Sequence, residues 1–436
     1  MTYTFSSPPC GGTVHIPPSK SELHRLLILA AVGAFPVRVS PFCDSEDIEA
    51  TVRCLTALGA KFARLGDGWN VTPMSNEQWE AGASPLILDC GASGATLRFM
   101  IPLCAALGVN ASFVRREKLG SRPLGPLADA LAPHGVTLRE TAGVLTVSGR
   151  LNAGDCTVDG SVSSQFVSGL LLALTRVRGT SRLTRTGAAV SSEYVTMTAD
   201  AIRMFGGTVD VLPDAGGNTV YTVRRGLRPP ESVTAGGDWS SAAVWLAAGA
   251  LGGAPMTVTG LRGDSRQADR RIADFLRAMG GKVTVSPAAG GTVSVTAYPS
   301  DLVGIRADLT DCPDLAPILA VLGAGAAGET VLMGTERLKV KECDREAAIA
   351  EQLTLCGYTV TKGADCLRIR GREREQLAPP VLSSHRDHRM VFSAFLLSLL
   401  CGAVTVTDAE CVAKSYKGFF EELAMRNYAP QVRGEH

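Results

Sequence analysis

Cations stand beside hydroxyls, amides and carboxylates at several separated points of this chain. Lys20 and Ser21 follow Pro17-Pro18-Ser19 and precede the apolar run Leu26-Leu27-Ile28-Leu29-Ala30-Ala31, with Arg25 four residues after Ser21. A helix starting there offers unpaired N–H groups and a positive dipole end to an anion. Arg25, about one turn on, can point the same way. Comparable clusters recur at Ser93-Gly94-Ala95-Thr96, Arg122, Ser163-Ser164-Gln165, Ser191 with Tyr194, Asp311-Cys312-Pro313-Asp314, Lys341-Glu342-Cys343-Asp344-Arg345, Asp387-His388-Arg389 and Lys414. Helix capping explains Ser, Asp and Thr at such places. It leaves Lys20, Arg122, Gln165, Lys341, Arg389 and Lys414 unexplained. Several helix N-termini and several cations together would make a convergent site for an anionic substrate.

The elements that must position these groups repeat. A helical pattern ending in glycine and followed by a short alternating strand occurs at Gly59, Gly135, Gly206, Gly280 and Gly357, with a decayed copy at Asn427, at intervals of 70 to 77 residues. Glycine, or asparagine as the next best residue, suits the left-handed conformation that stops a helix. Each copy reads as strand, helix, strand, helix, strand. Apolar runs such as Phe166–Leu174 and Met390–Leu400 mark a buried first helix, and segments such as Tyr194–Phe205 and Arg345–Leu355 an amphipathic second one. The period is too long for a solenoid unit and too short for an independent large domain. Six copies over 436 residues predict an α/β (α+β) protein of two domains with three repeats each.

Composition narrows the partners. A net charge of +1 argues against a general affinity for nucleic acid or an anionic membrane. Met1-Thr2-Tyr3-Thr4-Phe5 lacks the features of a signal peptide, and the longest apolar run, Val391 to Val404, is short for a bilayer. The 12 cysteines show neither a C-x-x-C pair nor zinc spacing, and Cys54, Cys104, Cys356 and Cys401 read as reduced core residues. His15, His24, His134, His385 and His436 have no companion at ligand spacing. A cytoplasmic protein is expected.

Taken together, Pro18-Ser19-Lys20-Ser21 with Arg25, Asp159-Gly160-Ser161-Val162-Ser163-Ser164-Gln165-Phe166, Val340-Lys341-Glu342-Cys343-Asp344-Arg345, Asp387-His388-Arg389-Met390 and Cys411-Val412-Ala413-Lys414 resemble the 5-enolpyruvylshikimate-3-phosphate synthase family. The resemblance runs through the whole chain in order. The Ser-Ser-Gln and Lys-Glu-x-Asp-Arg elements separate it from the related UDP-N-acetylglucosamine enolpyruvyl transferases. It implies an inverse α/β barrel in each domain, three repeats around a pseudo-threefold axis, and closure of the two domains over the substrates. The first domain would comprise 1–18 with 237–436 and the second 19–236, with crossovers near 18–20 and 235–238, where Gly236-Gly237 suits a hinge. The implied reaction transfers the enolpyruvyl group of phosphoenolpyruvate to the 5-hydroxyl of shikimate 3-phosphate, without metal or cofactor. Glyphosate inhibits such enzymes.

Carried over by motif, shikimate 3-phosphate would meet Lys20, Ser21, Arg25, Ser163, Ser164, Gln165, Ser191, Asp314 and Lys341. Phosphoenolpyruvate would meet Lys20, Gly94, Arg122, Gln165, Arg345, Arg389 and Lys414. Arginine forks suit phosphate and carboxylate, serines satisfy the remaining oxygens, and Gly94 allows close backbone approach. Asp314 is the implied base for the hydroxyl and Glu342 the implied proton donor to the methylene carbon, with Lys20 a competitor for part of that role. His388 reads as an orienting partner. The chain departs from the family pattern at Ala92-Ser93-Gly94-Ala95, where an amide and a hydroxyl are lost, and at Phe99, where proline is common. Arg337 and Lys339 add cations without an assigned role. Two other readings stay open at this point: transfer to a UDP-sugar, and a non-catalytic anion-binding homologue.

Overall fold

The computed structural model describes residues 1–6, 11–75, 85–375, 377–426, 428 and 431–433. Cys10, Asn427 and His436 lie outside the described residues. Twelve α-helices are present among them: α1 (Lys20–Val32), α2 (Glu46–Ala57), α3 (Gly94–Leu107), α4 (Gly125–Leu131), α5 (Ser164–Leu174), α6 (Ser192–Met204), α7 (Trp239–Leu251), α8 (Ile272–Ala278), α9 (Ala316–Gly325), α10 (Arg345–Leu355), α11 (His388–Cys401) and α12 (Phe419–Ala424). Odd-numbered helices open the repeats. Leu, Ala, Val and Ile occupy all their faces, and they are buried along most of their length. The second helices are two-sided: α2 buries Ile48, Thr51, Cys54 and Leu55 and turns Glu46 and Glu49 outward.

The chain forms two compact units, one of Met1–Pro17 with Gly236–His436 and one of Pro18–Ala235. In the first, α7, α9 and α11 pack on one another; in the second, α5 touches both α1 and α3. Each unit holds three four-stranded sheets around its buried helices. In one of them Asp155–Asp159 runs parallel to Thr180–Thr186, followed in the sheet by antiparallel Thr219–Arg224 and Thr208–Pro213. A repeat is therefore βαβαββ, one strand longer than the sequence pattern suggested. The last two strands form a hairpin with an exposed outer member, such as Lys61–Leu65 beside Gly68–Thr72. The strand expected after Gly59 is this outer one, and the additional strand is the inner Gly68–Thr72, joined to it by the tight turn Gly66-Asp67.

Strand exchange links the repeats in a way no local pattern encodes. Gly12–His15 pairs in parallel with Met256–Arg262, and Ser232–Thr234 with Val37–Ser40. The chain thus enters and leaves the Pro18–Ala235 unit between two exchanged strands. At the other end, Thr2–Phe5 lies antiparallel between Val404–Thr407 and Gln431–Arg433, so the first strand of the chain completes the last sheet. Among the described residues no helix is long and apolar enough to cross a membrane. The run Val391–Val404 is most of α11 with the connection into the next strand. Cys54, Cys104 and Cys356 are buried free thiols, whereas Cys401, the last residue of α11, is partly exposed.

The repeated glycines are helix stops. Gly59, Gly135, Gly206, Gly280 and Gly357 take φ of 99°, 76°, 73°, 82° and 87°. After α6, the amides of Gly206 and Gly207 bond back to the carbonyls of Arg203 and Ile202. A Cβ at Gly135 would meet nothing within 4 Å, but at Gly206 it would lie 2.7 Å from the Arg228 carbonyl oxygen. Gly135→Ala should therefore lose about 1–2 kcal/mol from backbone strain alone, and Gly206→Ala about 1–3 kcal/mol more from the clash. Urea unfolding of the two variants checks this; equal losses would show that conformation alone sets the cost.

Candidate active site

Asp314 lies in the 3-10 turn Pro313–Leu315 that leads into α9, a position that local sequence would explain as a turn residue. Its side chain nevertheless gathers three cations. Oδ1 accepts from Arg345 Nη1 at 2.7 Å and faces Lys341 Nζ at 3.4 Å, while Oδ2 accepts from Arg389 Nη2 at 2.9 Å. Arg389 Nη1 adds a bond to the Asp314 carbonyl at 3.2 Å. Burial raises the Asp314 pKa, but Arg389, Lys341 and Arg345 outweigh it and hold the carboxyl well below its usual range. Burial pushes Lys341 down, against the pull of Asp314 and with help from Arg345 and Arg337.

Arg345 opens α10 and is 1% exposed. Besides Asp314 it bonds Glu342 Oε2 at 2.5 Å and Asp387 Oδ2 at 2.7 Å. Burial works against its charge, yet Asp387, Glu342 and Asp314 raise its pKa well above the ordinary arginine value. Asp387 caps α11 by accepting from the Arg389 amide at 3.0 Å, so one buried carboxylate places both arginines. His388 follows the cap, its Nδ1 3.7 Å from Asp387 Oδ1. Lys414, at the end of the turn Ala409–Lys414, donates to the Arg386 carbonyl at 3.0 Å. Arg337 donates to the Thr310 carbonyl at 3.1 Å, and Lys339 lies 3.6 Å from the buried Glu346, so both have structural partners.

The Pro18–Ala235 unit carries the other expected residues in smaller groups. Lys20, first residue of α1, pairs with Asp47 of α2 at 2.7 Å. Arg25 is buried and gives four N–H contacts to Thr198 Oγ1, the Ser21 carbonyl, Ser168 Oγ and the Tyr194 carbonyl at 2.6–3.2 Å. Burial lowers its pKa to about 10. Gln165 receives Arg98 Nη1 on Oε1 at 2.8 Å, which turns its NH₂ group away from Arg98; the same nitrogen reaches Ser163 Oγ at 3.4 Å. Ser163 caps α5 and Ser164 begins it. Gly94 begins α3, and a Cβ there would fall 2.5 Å from Arg122 Nη1. The absent side chain thus makes room for a guanidinium as well as for any ligand.

The departures from the family pattern have local explanations. Ser93 caps α3 by accepting from the Thr96 amide, and the Thr96 hydroxyl turns inward to Ser93 Oγ and Thr51 Oγ1 at 2.8 and 2.7 Å. Phe99 is buried edge-on to His24, under the Arg25 guanidinium at 5.3 Å. Burial lowers the His24 pKa to about 3, so the imidazole is neutral.

Backbone strain collects around these groups. Seven described non-glycine residues have positive φ. Ser191 (φ 51°) starts α6, while Asp408 (φ 52°) and Glu117 (φ 52°) stand at the turns that end near Lys414 and Arg122. His385 and Arg386 (φ 51° and 57°) precede Asp387 and aim the Arg386 carbonyl at Lys414. Strained non-glycine residues persist where the surroundings over-determine them, and they concentrate at working sites. Residue types and motifs assign no substrate role to Asp47, Asp387 or Arg98. The first two read locally as helix-start acids, and their partners lie 27 and 42 residues away. Among the described residues no group of three or more His, Cys, Asp or Glu could hold a metal ion.

Known proteins resemble this chain along its length. The family description for EPSP synthase (3-phosphoshikimate 1-carboxyvinyltransferase) matches residues 6–423. A 3-phosphoshikimate 1-carboxyvinyltransferase of Clostridium kluyveri is 36% identical over 417 residues, covering 94% of each chain. One from Clostridioides difficile is 31% identical over 429 residues, covering 95% of this chain and 94% of that protein. In fold the chain is similar to EPSP synthase from Acinetobacter baumannii (TM-score 0.81, 24% identity, 99% of this chain and all of that one). It is also similar to the enolpyruvyl transferase NikO from Streptomyces tendae (TM-score 0.74, 21% identity, 99% and 98% covered). The match over nearly the whole chain, at identities above 30%, places this protein in the EPSP synthase (3-phosphoshikimate 1-carboxyvinyltransferase) family.

Proposed function

We propose a division of labour among these residues for the reaction of the family. The chain transfers the enolpyruvyl group of phosphoenolpyruvate to the 5-hydroxyl of shikimate 3-phosphate and releases phosphate. The observation that supports the assignment best is the gathering of Arg345, Arg389 and Lys341 around the single carboxylate of Asp314. In the free chain Asp314 sits where an anion is wanted. Phosphoenolpyruvate, anionic at both ends, competes for Arg345 and Arg389, and the phosphate or hydroxyls of shikimate 3-phosphate for Lys341.

That competition supplies the proton chemistry. Asp314 ringed by three cations is a weak base. Once substrate oxygens take up those cations, its pKa rises toward the range in which it can accept the 5-hydroxyl proton. Glu342 is bonded to the same Arg345, so drawing Arg345 toward phosphoenolpyruvate frees Glu342 to take up a proton from solvent, pass it to the methylene carbon, and take one back from the resulting methyl group as phosphate leaves. Lys20 plays the corresponding part at α1, leaving Asp47 for substrate phosphate and stabilising charge in the adduct. Arg122, Lys414, Gly94 and the NH₂ of Gln165 complete the phosphoenolpyruvate set. Ser21, Ser163, Ser164 and Ser191 complete the shikimate 3-phosphate set. Arg25 acts there through the α1–α6 geometry that it fixes. A monomer in the reducing cytoplasm completes the reading, supported by described cysteines that are all free thiols.

Phosphate release in the purified chain tests the acceptor. Turnover is expected with shikimate 3-phosphate and none with UDP-N-acetylglucosamine; the reverse would overturn the assignment. Asp314→Asn should lower kcat by about 10²–10⁴-fold, the usual contribution of a positioned base. A carboxyl with a depressed pKa adds stability above its unfolded value and loses it as pH falls through the folded one. At pH 7 that stability is fully present, so Asp314→Asn should also melt lower than the parent. Added phosphoenolpyruvate should then raise its Tm by more than it raises the parent's, by supplying the missing anion; calorimetric melts with and without ligand check this. Arg389→Lys loses the bidentate fork and should raise the KM for phosphoenolpyruvate about tenfold or more, with that for shikimate 3-phosphate little changed; steady-state kinetics decides.

A further inference from the structure

Asp269 lies in the 3-10 turn Ala268–Arg271, just ahead of α8, and its side chain is fully buried. Its Oδ2 accepts from the Ser240 hydroxyl of α7. Its Oδ1 is buried without a hydrogen-bond partner, and so is Nε of Arg389. An unmatched acceptor and an unmatched donor thus occupy the same region: the turn of Asp269 and the turn of Asp314 both pack on α7, Arg271 reaches Cys312 at 3.7 Å, and Arg389 is bonded to Asp314 and is the strongest charge favouring ionised Asp269. Asp314 from the turn before α9 and Asp238 at the cap of α7, both carboxylates, also face Asp269.

A buried carboxylate with one bare oxygen is costly, and a neutral side chain of the same shape would be easier to hold. Burial raises the Asp269 pKa to about 6, with Arg389 opposing and Asp314 and Asp238 adding to the rise. At neutral pH the group is nonetheless ionised. Arg389 spends both its terminal nitrogens on Asp314, while Asp387 is committed to Arg345 and to the cap of α11. When Asp314 turns to the acceptor hydroxyl, the Arg389 fork loses its carboxylate partner.

We propose that Asp269 is the positioning residue for Arg389, its carboxylate holding the guanidinium through Nε–H while Asp314 serves the acceptor. This rests on the reading above that Arg389 binds phosphoenolpyruvate. Asp269 touches no substrate in this scheme; it acts through Arg389.

Kinetics of the full chain with Asp269→Asn, Asp269→Glu and Arg389→Lys tests the idea. Asp269→Asn should raise the KM for phosphoenolpyruvate about tenfold, leaving that for shikimate 3-phosphate within about twofold. A carboxyl with a raised folded pKa favours the folded state below its unfolded value and loses that advantage as pH rises through about 6. Removing the charge at pH 7.5 should therefore leave Tm unchanged or higher, so the rise in KM would not come from lost stability. As the pH falls below about 6 the parent's Asp269 becomes neutral, and the ratio of the two phosphoenolpyruvate KM values should approach one. Asp269→Glu keeps the charge and should stay within about threefold of the parent, and it decides alone if the asparagine variant does not fold. A phosphoenolpyruvate KM in Asp269→Asn within twofold of the parent, or a KM in Asp269→Glu raised tenfold, overturns the proposal. If Arg389→Lys also leaves that KM unchanged, the fault lies with the placement of Arg389 in the phosphoenolpyruvate set and not with Asp269.

Discussion

Arg345 is the charge on which one unit's chemistry depends. Its guanidinium is buried and surrounded by Asp314, Glu342 and Asp387, and isolated in that position it would be prohibitively expensive. Three carboxylates offset the desolvation, and each brings a different element to the same point: the turn before α9, the loop before α10, and the cap of α11. A guanidinium suits this because its planar fork can meet several oxygens at fixed angles, which an ammonium cannot. Substrate binding and carboxylate basicity are then two faces of one electrostatic balance, since any anion that draws on Arg345 changes what Asp314 and Glu342 can do.

The repeats make such a balance possible by presenting helix starts. Every first helix is apolar on all sides and must be buried, which leaves its N-terminus as the place where polar groups can reach solvent or substrate. Ser19, Ser93, Ser163, Asp238 and Asp387 cap these helices with their own side chains. Residues just beyond the caps (Lys20, Gly94, Gln165, Arg389) therefore sit at the positive ends of helix dipoles with their orientation already set. The left-handed residues at Ser191, Asp408, His385 and Arg386 show the cost of aiming the remaining groups. A relaxed backbone would not turn the Arg386 carbonyl toward Lys414.

Much of this was legible without coordinates because it rests on short-range rules. Glycine at a helix stop has a conformational cause, so Gly59, Gly135, Gly206, Gly280 and Gly357 exposed the repeat and its period. All-apolar runs identified the buried helices for the same reason. The inner strand of each hairpin, such as Gly68–Thr72, merges in the sequence with the strand after the glycine, because only a tight turn separates the two. Arg25 carries partners that its spacing does not reveal: besides the Ser21 carbonyl in its own helix it donates to Ser168, Tyr194 and Thr198, far along the chain.

Residue types and spacing by themselves determined the repeated βα pattern, the family, and the set of cations and carboxylates available for an anionic substrate, since each follows from local geometry or from motif. Only the tertiary structure decided which strand completes which sheet and which carboxylate faces which cation. The exchange of Gly12–His15 and Ser232–Thr234, the closing of the last sheet by Thr2–Phe5, and the meeting of Arg345 with Asp387 and of Arg389 with Asp314 join residues from 42 to more than 400 positions apart. Pairings at that range are set by packing and by the need to compensate buried charge, and neither leaves a mark on the chain nearby.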